Sequence, residues 1–193
     1  MTPSAAEVRT LLARAYLDDP LTAWIFPDED QRPHGSAAWL GVAVERYLSG
    51  GRVESTVRDG SLAAVALFRL PGDDLATGGD VLPTAGGLLQ AVVGPAWAAQ
   101  VAEGFGAARE QAPPPGEPHV YLNFLAVAPG QQRRGHGGEL LQRVKAQALD
   151  AGAPLRLETT NPVNLPFYEA HGLQVRSEVR LGPSGPTMWA LQT

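Results

Sequence analysis

The sequence predicts an α/β fold, a mixed sheet of about six strands with helices on its faces. Three observations carry that expectation. Apolar residues recur at helical spacing in some segments and run in short extended stretches in others. The second half of the chain alternates strand and helix, the order that builds a sheet covered by helices. The 22 glycines and 17 prolines punctuate these segments instead of gathering in a tail or repeat, as turn residues do.

The first helix is expected from Ser4 to Leu17. Ser4 with Glu7 forms a capping-box pattern, and Val8, Leu11, Leu12 and Ala15 share one face. Asp18-Asp19-Pro20 ends it, and Leu21 to Asp28 shows neither helical nor strand period. A second helix runs from Ser36 to Leu48, with Trp39, Leu40, Ala43, Val44 and Tyr47 as its apolar side. Two strands, Arg52–Val57 and Ser61–Leu70, flank Asp59-Gly60, a strong local hairpin signal. Residues 83–109 read as a helical insertion broken at Gly94-Pro95, followed by the stiff Pro113-Pro114-Pro115-Gly116 connection. Then come strand His119–Val127, helix His136–Ala151, strand Pro154–Thr159, short helix Asn164–His171, and strands Leu173–Val179 and Thr187–Leu191.

Composition narrows the function. The 193 residues suit a single domain, 1–193. A formal net charge of −5 argues against a nucleic-acid binder. There is no cysteine, so disulfides, thiolate metal sites and a cysteine nucleophile are excluded. No His/carboxylate spacing suggests a metal site. No stretch approaches the roughly 18 apolar residues of a membrane helix, and no signal pattern opens the chain; a cytoplasmic protein without membrane partners is expected.

The most informative segment is Leu125 to Leu140, which reads strand, turn, glycine-rich loop, helix start. Gly135, Gly137 and Gly138 let the backbone turn sharply and approach a ligand closely. The first turn of the next helix carries unpaired N–H groups and the positive end of the helix dipole. Together they can cradle a diphosphate, with Arg133 and Arg134 at the lip. Taken alone, the loop fits a plain strand-to-helix turn equally well. It lacks the P-loop lysine, and Leu140 stands where a dinucleotide fingerprint has its third glycine. A Gly-x-Ser-x-Gly elbow is absent as well.

Gln132-x-x-Gly135-x-Gly137, five residues after Val127, resembles the acyl-CoA-binding signature of the GNAT acetyltransferase superfamily. Asn164-Leu165-Pro166-Phe167-Tyr168-Glu169-Ala170-His171-Gly172-Leu173 is similar to its second block. Leu157-Glu158-Thr159-Thr160 and the early Asp19-Pro20 and Pro27-Asp28 pairs look like the puromycin N-acetyltransferase group. That group opens with a strand ahead of its first helix. Only Met1-Thr2-Pro3 is available here, so the sheet either lacks that edge strand or closes differently.

The resemblance implies a mostly antiparallel sheet splayed at its two central strands, and transfer of an acetyl group from acetyl-CoA to a primary amine in a ternary complex. It places CoA binding in 119–179, the acceptor side in 1–118 and a last strand in 180–193. Leu125, Ala126 and Val127 would run along the pantetheine arm, with the Leu125 N–H facing the thioester oxygen. Gln132, Arg133, Arg134, Gly135, His136, Gly137 and Gly138 would hold the diphosphate. Asn164 would bond the arm, although Asn161 rivals it and Asn164 also suits a helix N-cap. Tyr168 would protonate the leaving thiolate; outside this block it fits a core aromatic better.

The general base is either Glu158 or His119. His119, Tyr121 and Asn123 share a face with Leu125 and Val127 unless a bulge intervenes. Trp24, Phe26, Trp39 and Trp97, with Tyr121 and Asn123, are candidates for an aromatic acceptor site; each of the four bulky residues also suits a core position. The expected acceptor is a small-molecule amine, with a peptide amine or a non-catalytic CoA-binding role as alternatives. No metal is expected, and a homodimer is compatible with this reading.

Overall fold

The computed structural model describes residues 2–75, 82–111 and 117–193. Six strands form one sheet in the order β1-β2-β3-β4-β6-β5. These are β1 (Arg52–Arg58), β2 (Ser61–Arg69), β3 (Val120–Val127), β4 (Leu155–Thr159), β5 (Gln174–Arg180) and β6 (Thr187–Gln192). All neighbours are antiparallel except β3 and β4, which run parallel at the centre. The helices are α1 (Ala5–Ala15), α2 (Pro20–Ile25), α3 (Arg32–Gly50), α4 (Ala85–Val93), α5 (Pro95–Gln111), α6 (His136–Asp150) and α7 (Leu165–Ala170).

Each element forms for a local reason. Ser4 caps α1 by accepting from the Glu7 N–H, and the Glu7 carboxylate returns the bond to the Ser4 backbone. Asp59 and Gly60 both adopt positive φ, 50° and 74°, which turns the β1–β2 hairpin in the sense that matches strand twist. Gly94, at φ 82°, and Pro95 separate α4 from α5 at the expected break.

The stretch after α1 departs from expectation. It holds a helix, α2, because the Asp19 side chain accepts from the Leu21 N–H while Pro20 occupies the first helical position. Helix α3 also starts earlier and ends later than its apolar stripe indicates. The proline-rich connection expected at 113–116 lies outside the described residues. Among the described residues no strand precedes α1, and β1 is the sheet edge.

Two layers of helices bury the sheet. One face packs Ala64, Ala66, Phe68, Val120 and Leu122 against Leu140, Leu141, Val144 and Ala148 of α6. The other packs Val65, Leu67 and Ala126 against Val8, Leu11 and Leu12 of α1 and Leu40 and Val44 of α3. Burying each Val, Leu or Phe among them contributes about 1.5–3 kcal/mol, and these two clusters fix the sheet between its helices. A third cluster joins Ile25 and Phe26 to Leu89, Ala98 and Val101, docking the insertion beside α2.

Two irregularities in β3 position the site. Its parallel pairing with β4 covers only Val120, Tyr121 and Leu122. Beyond that point β4 continues along β6 while β3 continues along β2, so the sheet opens between them. In addition, Leu67 pairs with Phe124 and Phe68 with Leu122, leaving Asn123 as a bulge. The bulge reverses side-chain parity. Val120 and Leu122 lie on the α6 side before it, and Leu125 and Val127 lie there after it. Tyr121 therefore falls on the opposite face from Leu125 and Val127, and the shared face expected for His119, Tyr121 and Asn123 with those residues does not form.

Candidate active site

A cavity of about 910 Å³ opens where β3 leaves β4. It is bounded by the end of α1, the β3 edge, the glycine turn into α6, and the segment from Asn161 through α7. Leu125, Ala126, Val127, Gln132, Arg133, Gly135, His136, Gly137, Gly138, Asn164 and Tyr168 all line it. Residues distant in sequence are thus brought around one cavity where the strands splay.

The turn before α6 is built on unusual backbone. Arg133 sits at φ 59° and Gly135 at φ 87°. A non-glycine residue in this left-handed region is uncommon and tends to mark a functional loop. Gly135 is the N-cap of α6 and no side chain caps the helix, so its first amides have no side-chain acceptor. A Cβ placed on Gly135 would meet nothing within 4 Å, whereas one on Gly138 would lie 3.0 Å from Nε2 of His171. The first glycine therefore answers to backbone conformation and the second to a close approach. His136 is 6% exposed, and its Nδ1 is buried without a hydrogen-bond partner. Main-chain donors, a positive helix end and flanking arginines fit an anionic diphosphate.

Further along, the Gln132 side-chain amide reaches back toward the Val127 carbonyl at 3.5 Å. The Asn164 amide donates to the Thr159 hydroxyl at 3.4 Å, and the Asn161 side-chain oxygen accepts from the Val163 N–H at 3.1 Å. Both asparagines line the cavity. Asn161 is thus engaged as a local cap, and Asn164 is held by the end of β4.

Tyr16, Asp19 and Phe167, which also line the cavity, were not singled out as site candidates from sequence. The Tyr16 hydroxyl accepts from the Leu125 N–H at 3.1 Å and donates to the Leu125 carbonyl at 3.0 Å. The amide expected to face a thioester oxygen is therefore already engaged. Asp19 accepts from the Thr160 hydroxyl at 3.0 Å and from the Leu21 N–H at 3.0 Å. Burial raises the Asp19 carboxyl above the usual carboxylate value, against the lowering effect of these hydrogen bonds. Phe167 packs edge-on against Tyr168, with ring centroids 5.2 Å apart. Burial, and then the negative charge of Asp19, push the Tyr168 phenol well above its ordinary value. It stays protonated at neutral pH. Helical periodicity signalled Tyr16 and Asp19 only as a helix end.

Other candidates lie away from the cavity lining. Glu158 is exposed on β4 and accepts from the Tyr121 hydroxyl at 2.6 Å. Burial, then the neighbouring Glu158 charge and this bond, raise Tyr121 well above the ordinary phenol range. Nδ1 of His119 lies 3.1 Å from the Glu117 carbonyl, and the ring stands edge-on to Tyr121. Phe26 belongs to the cluster that packs α2 against α4 and α5, with Trp24, Trp39 and Trp97 at its border. The Trp97 indole donates to the Ile25 carbonyl at 3.1 Å. Arg134 is exposed beside the turn. Among the described residues no group of His, Asp and Glu is arranged to hold a metal ion, and no helix is long and apolar enough to cross a membrane.

Residues 87–173, which contain β3, the glycine turn, Asn164 and Tyr168, match the family model described as Acetyltransferase (GNAT) family. The whole chain is similar in fold to solved structures. One, described as a histone acetyltransferase HPA2 and related acetyltransferase from Corynebacterium glutamicum, superposes with a TM-score of 0.65 at 20% identity, over 97% of this chain and 89% of that one. Arylalkylamine N-acetyltransferase 2 from Aedes aegypti gives 0.59 at 13% identity, over 100% and 96%. An agmatine N-acetyltransferase gives 0.57 at 17% identity, over 99% and 94%. Residues 87–173 are thus similar to the GNAT acetyltransferase family, and the whole chain shares the fold of these solved structures.

Proposed function

We propose that the chain is an acetyl-CoA-dependent N-acetyltransferase acting on the primary amine of a small molecule, by direct attack while both substrates are bound. The observation that carries this reading is one cavity lined both by the anion cradle and by Asp19 and Tyr168. Acetyl-CoA supplies the acyl group as a thioester. The amides of Gln132 to Gly138, with Arg133 and Arg134, hold the diphosphate. The β3 edge from Leu125 to Val127 lies along the arm, and Asn164 fixes it from the facing wall.

The amine must lose a proton to attack. Asp19 is a half-buried carboxylate in the cavity, whereas Glu158 and His119 lie off its lining, so Asp19 takes that role here. As the carbon–nitrogen bond forms and the carbon–sulfur bond breaks, Tyr168 gives its proton to the sulfur. Uptake of the amine's proton neutralises Asp19. This removes the charge that helps to raise Tyr168, so the second proton transfer becomes easier once the first has occurred.

Asp18 and Asp19 both line the cavity, which favours a cationic amine over a neutral one. The acceptor side is then set by the α1–α2 junction and not by the aromatic cluster of Trp24, Phe26 and Trp39. Structural neighbours named for agmatine and arylalkylamines support the small-amine reading, as does the likeness to the puromycin N-acetyltransferase group. A single domain spanning 1–193 and a cytoplasmic location belong to the same proposal. Thiol release from acetyl-CoA, measured with puromycin, agmatine, an arylalkylamine and a peptide with a free N-terminus, tests it. Turnover of small amines supports the reading. Turnover of the peptide alone points to a protein acceptor, and CoA binding without turnover points to a non-catalytic binding domain.

A further inference from the structure

The Leu125 main chain is exposed to the opening of the sheet, because β4 stops pairing with β3 at Leu122. Buried amides and carbonyls without partners are costly, so something must satisfy them. One hydroxyl does both. Tyr16 accepts the Leu125 N–H at 3.1 Å and returns its own proton to the Leu125 carbonyl at 3.0 Å. Its ring is held from behind by Phe124, with centroids 6.2 Å apart, and by the α1–α3 cluster. The ring cannot leave the amide without unpacking that cluster, but the hydroxyl proton can turn about one bond.

We propose that the Tyr16 hydroxyl, anchored by the Leu125 N–H, is the hydrogen-bond donor to the thioester oxygen, so the bare Leu125 amide is not. This rests on the acetyl-CoA reading of the cavity. As the amine attacks, negative charge develops on the thioester oxygen. Tyr16 turns its O–H from the Leu125 carbonyl to that oxygen while its own oxygen keeps the amide bond. A hydroxyl that already accepts a hydrogen bond is a stronger donor. No proton is transferred. Burial and the neighbouring Tyr168 hold the Tyr16 phenol far above its ordinary value, so it donates without ionising. The two tyrosines of the cavity then divide the work: Tyr16 meets the oxygen and Tyr168 the sulfur.

The test uses the full chain with carbonyl-labelled acetyl-CoA and no amine, so that nothing turns over. Isotope-edited infrared spectroscopy should show the bound thioester C=O stretch moved to lower frequency than in solution, and Tyr16→Phe should abolish that displacement. In the turnover assay the same variant should lose about 10²- to 10³-fold in kcat, the loss expected for one donor of this kind, with calorimetric affinity for CoA unchanged. A displacement that survives Tyr16→Phe, or a kcat that holds or rises because the Leu125 amide has been uncovered, overturns the assignment. If Tyr16→Phe does not fold, site-specific difluorotyrosine at position 16 keeps the ring and strengthens the donor. It should enlarge the displacement, and an unchanged stretch overturns the proposal. Wild-type protein that fails to bind acetyl-CoA refutes the cavity reading and the Tyr16 role together. Binding with an unshifted carbonyl refutes the Tyr16 role alone.

Discussion

The Thr160 hydroxyl donates to the Asp19 carboxylate at 3.0 Å, tying the first turn of α2 to the residue that follows β4. That bond joins the two halves of the chain beside the cavity that Asp19 lines. It also explains how a carboxylate raised by burial is kept in place, since the Leu21 N–H and the Thr160 hydroxyl both favour its charged form.

Asp19→Asn should lower kcat by about 10²-fold or more if Asp19 accepts the amine's proton. In the wild type, kcat falls as pH drops through the Asp19 value, which burial raises from that of an ordinary aspartate; the variant loses this limb. Stability should move the other way. Because the folded-state value is raised, the folded protein binds more protons than the unfolded chain between the two values. Stability is therefore lost as pH rises through the folded value and stays lower at pH 7. Asparagine still caps a helix, so the variant should have a higher Tm at pH 7, with the gain shrinking toward pH 4. Thermal melts across that range check the sign.

Tyr168→Phe should keep CoA affinity, measured by calorimetry, while turnover falls by roughly 10²-fold. The ring remains packed against Phe167, so a lost binding signal would indicate a structural role. An unchanged rate would remove the hydroxyl from the mechanism.

Gly135 separates charge from strain in the cradle. Its φ of 87° disfavours any side chain, but the space before it is open. Asparagine tolerates the left-handed region better than most residues. Gly135→Asn should weaken CoA binding modestly, and Gly135→Asp should weaken it by at least a further 10-fold, because a carboxylate repels the diphosphate. Equal affinities for the two variants would argue that no anion sits there. Titration calorimetry in low salt resolves them.

Much of the site was legible because local chemistry wrote it. Gly135, Gly137 and Gly138 follow a strand and open a helix, and Asn164 and Tyr168 sit in a second block; the fold brings all five to one cavity. The hairpin at Asp59-Gly60 and the break at Gly94-Pro95 were legible because glycine readily reaches positive φ and proline cannot continue a helix. Tyr16 and Asp19 were hidden because their partners, Leu125 and Thr160, lie more than a hundred residues away. The Asn123 bulge left no local signal, since an extra residue in a strand shows only in its register against β2. It moved Tyr121 to the far face. The short helix α2 was missed because six residues cannot display a period, whereas its Asp19-Pro20 start is a recognisable cap.

The two glycines inside α5 should respond to alanine with opposite signs. Helix propensity alone predicts that each Gly→Ala change stabilises by about 1 kcal/mol. At Gly106 a Cβ meets nothing within 4 Å, so Gly106→Ala should realise most of that gain. At Gly104 a Cβ would lie 3.0 Å from the Trp24 ring and 3.1 Å from the Leu181 carbonyl oxygen. Neither neighbour yields easily: Leu181 offers backbone, and the Trp24 indole is packed near Trp97 and Phe105 and donates to Ser184 at 3.3 Å. Overpacking against such a surface costs about 1–3 kcal/mol, which exceeds the propensity gain. Gly104→Ala should therefore lower the midpoint of urea unfolding while Gly106→Ala raises it. If both raise it, α5 is not seated tightly against Trp24 and Leu181.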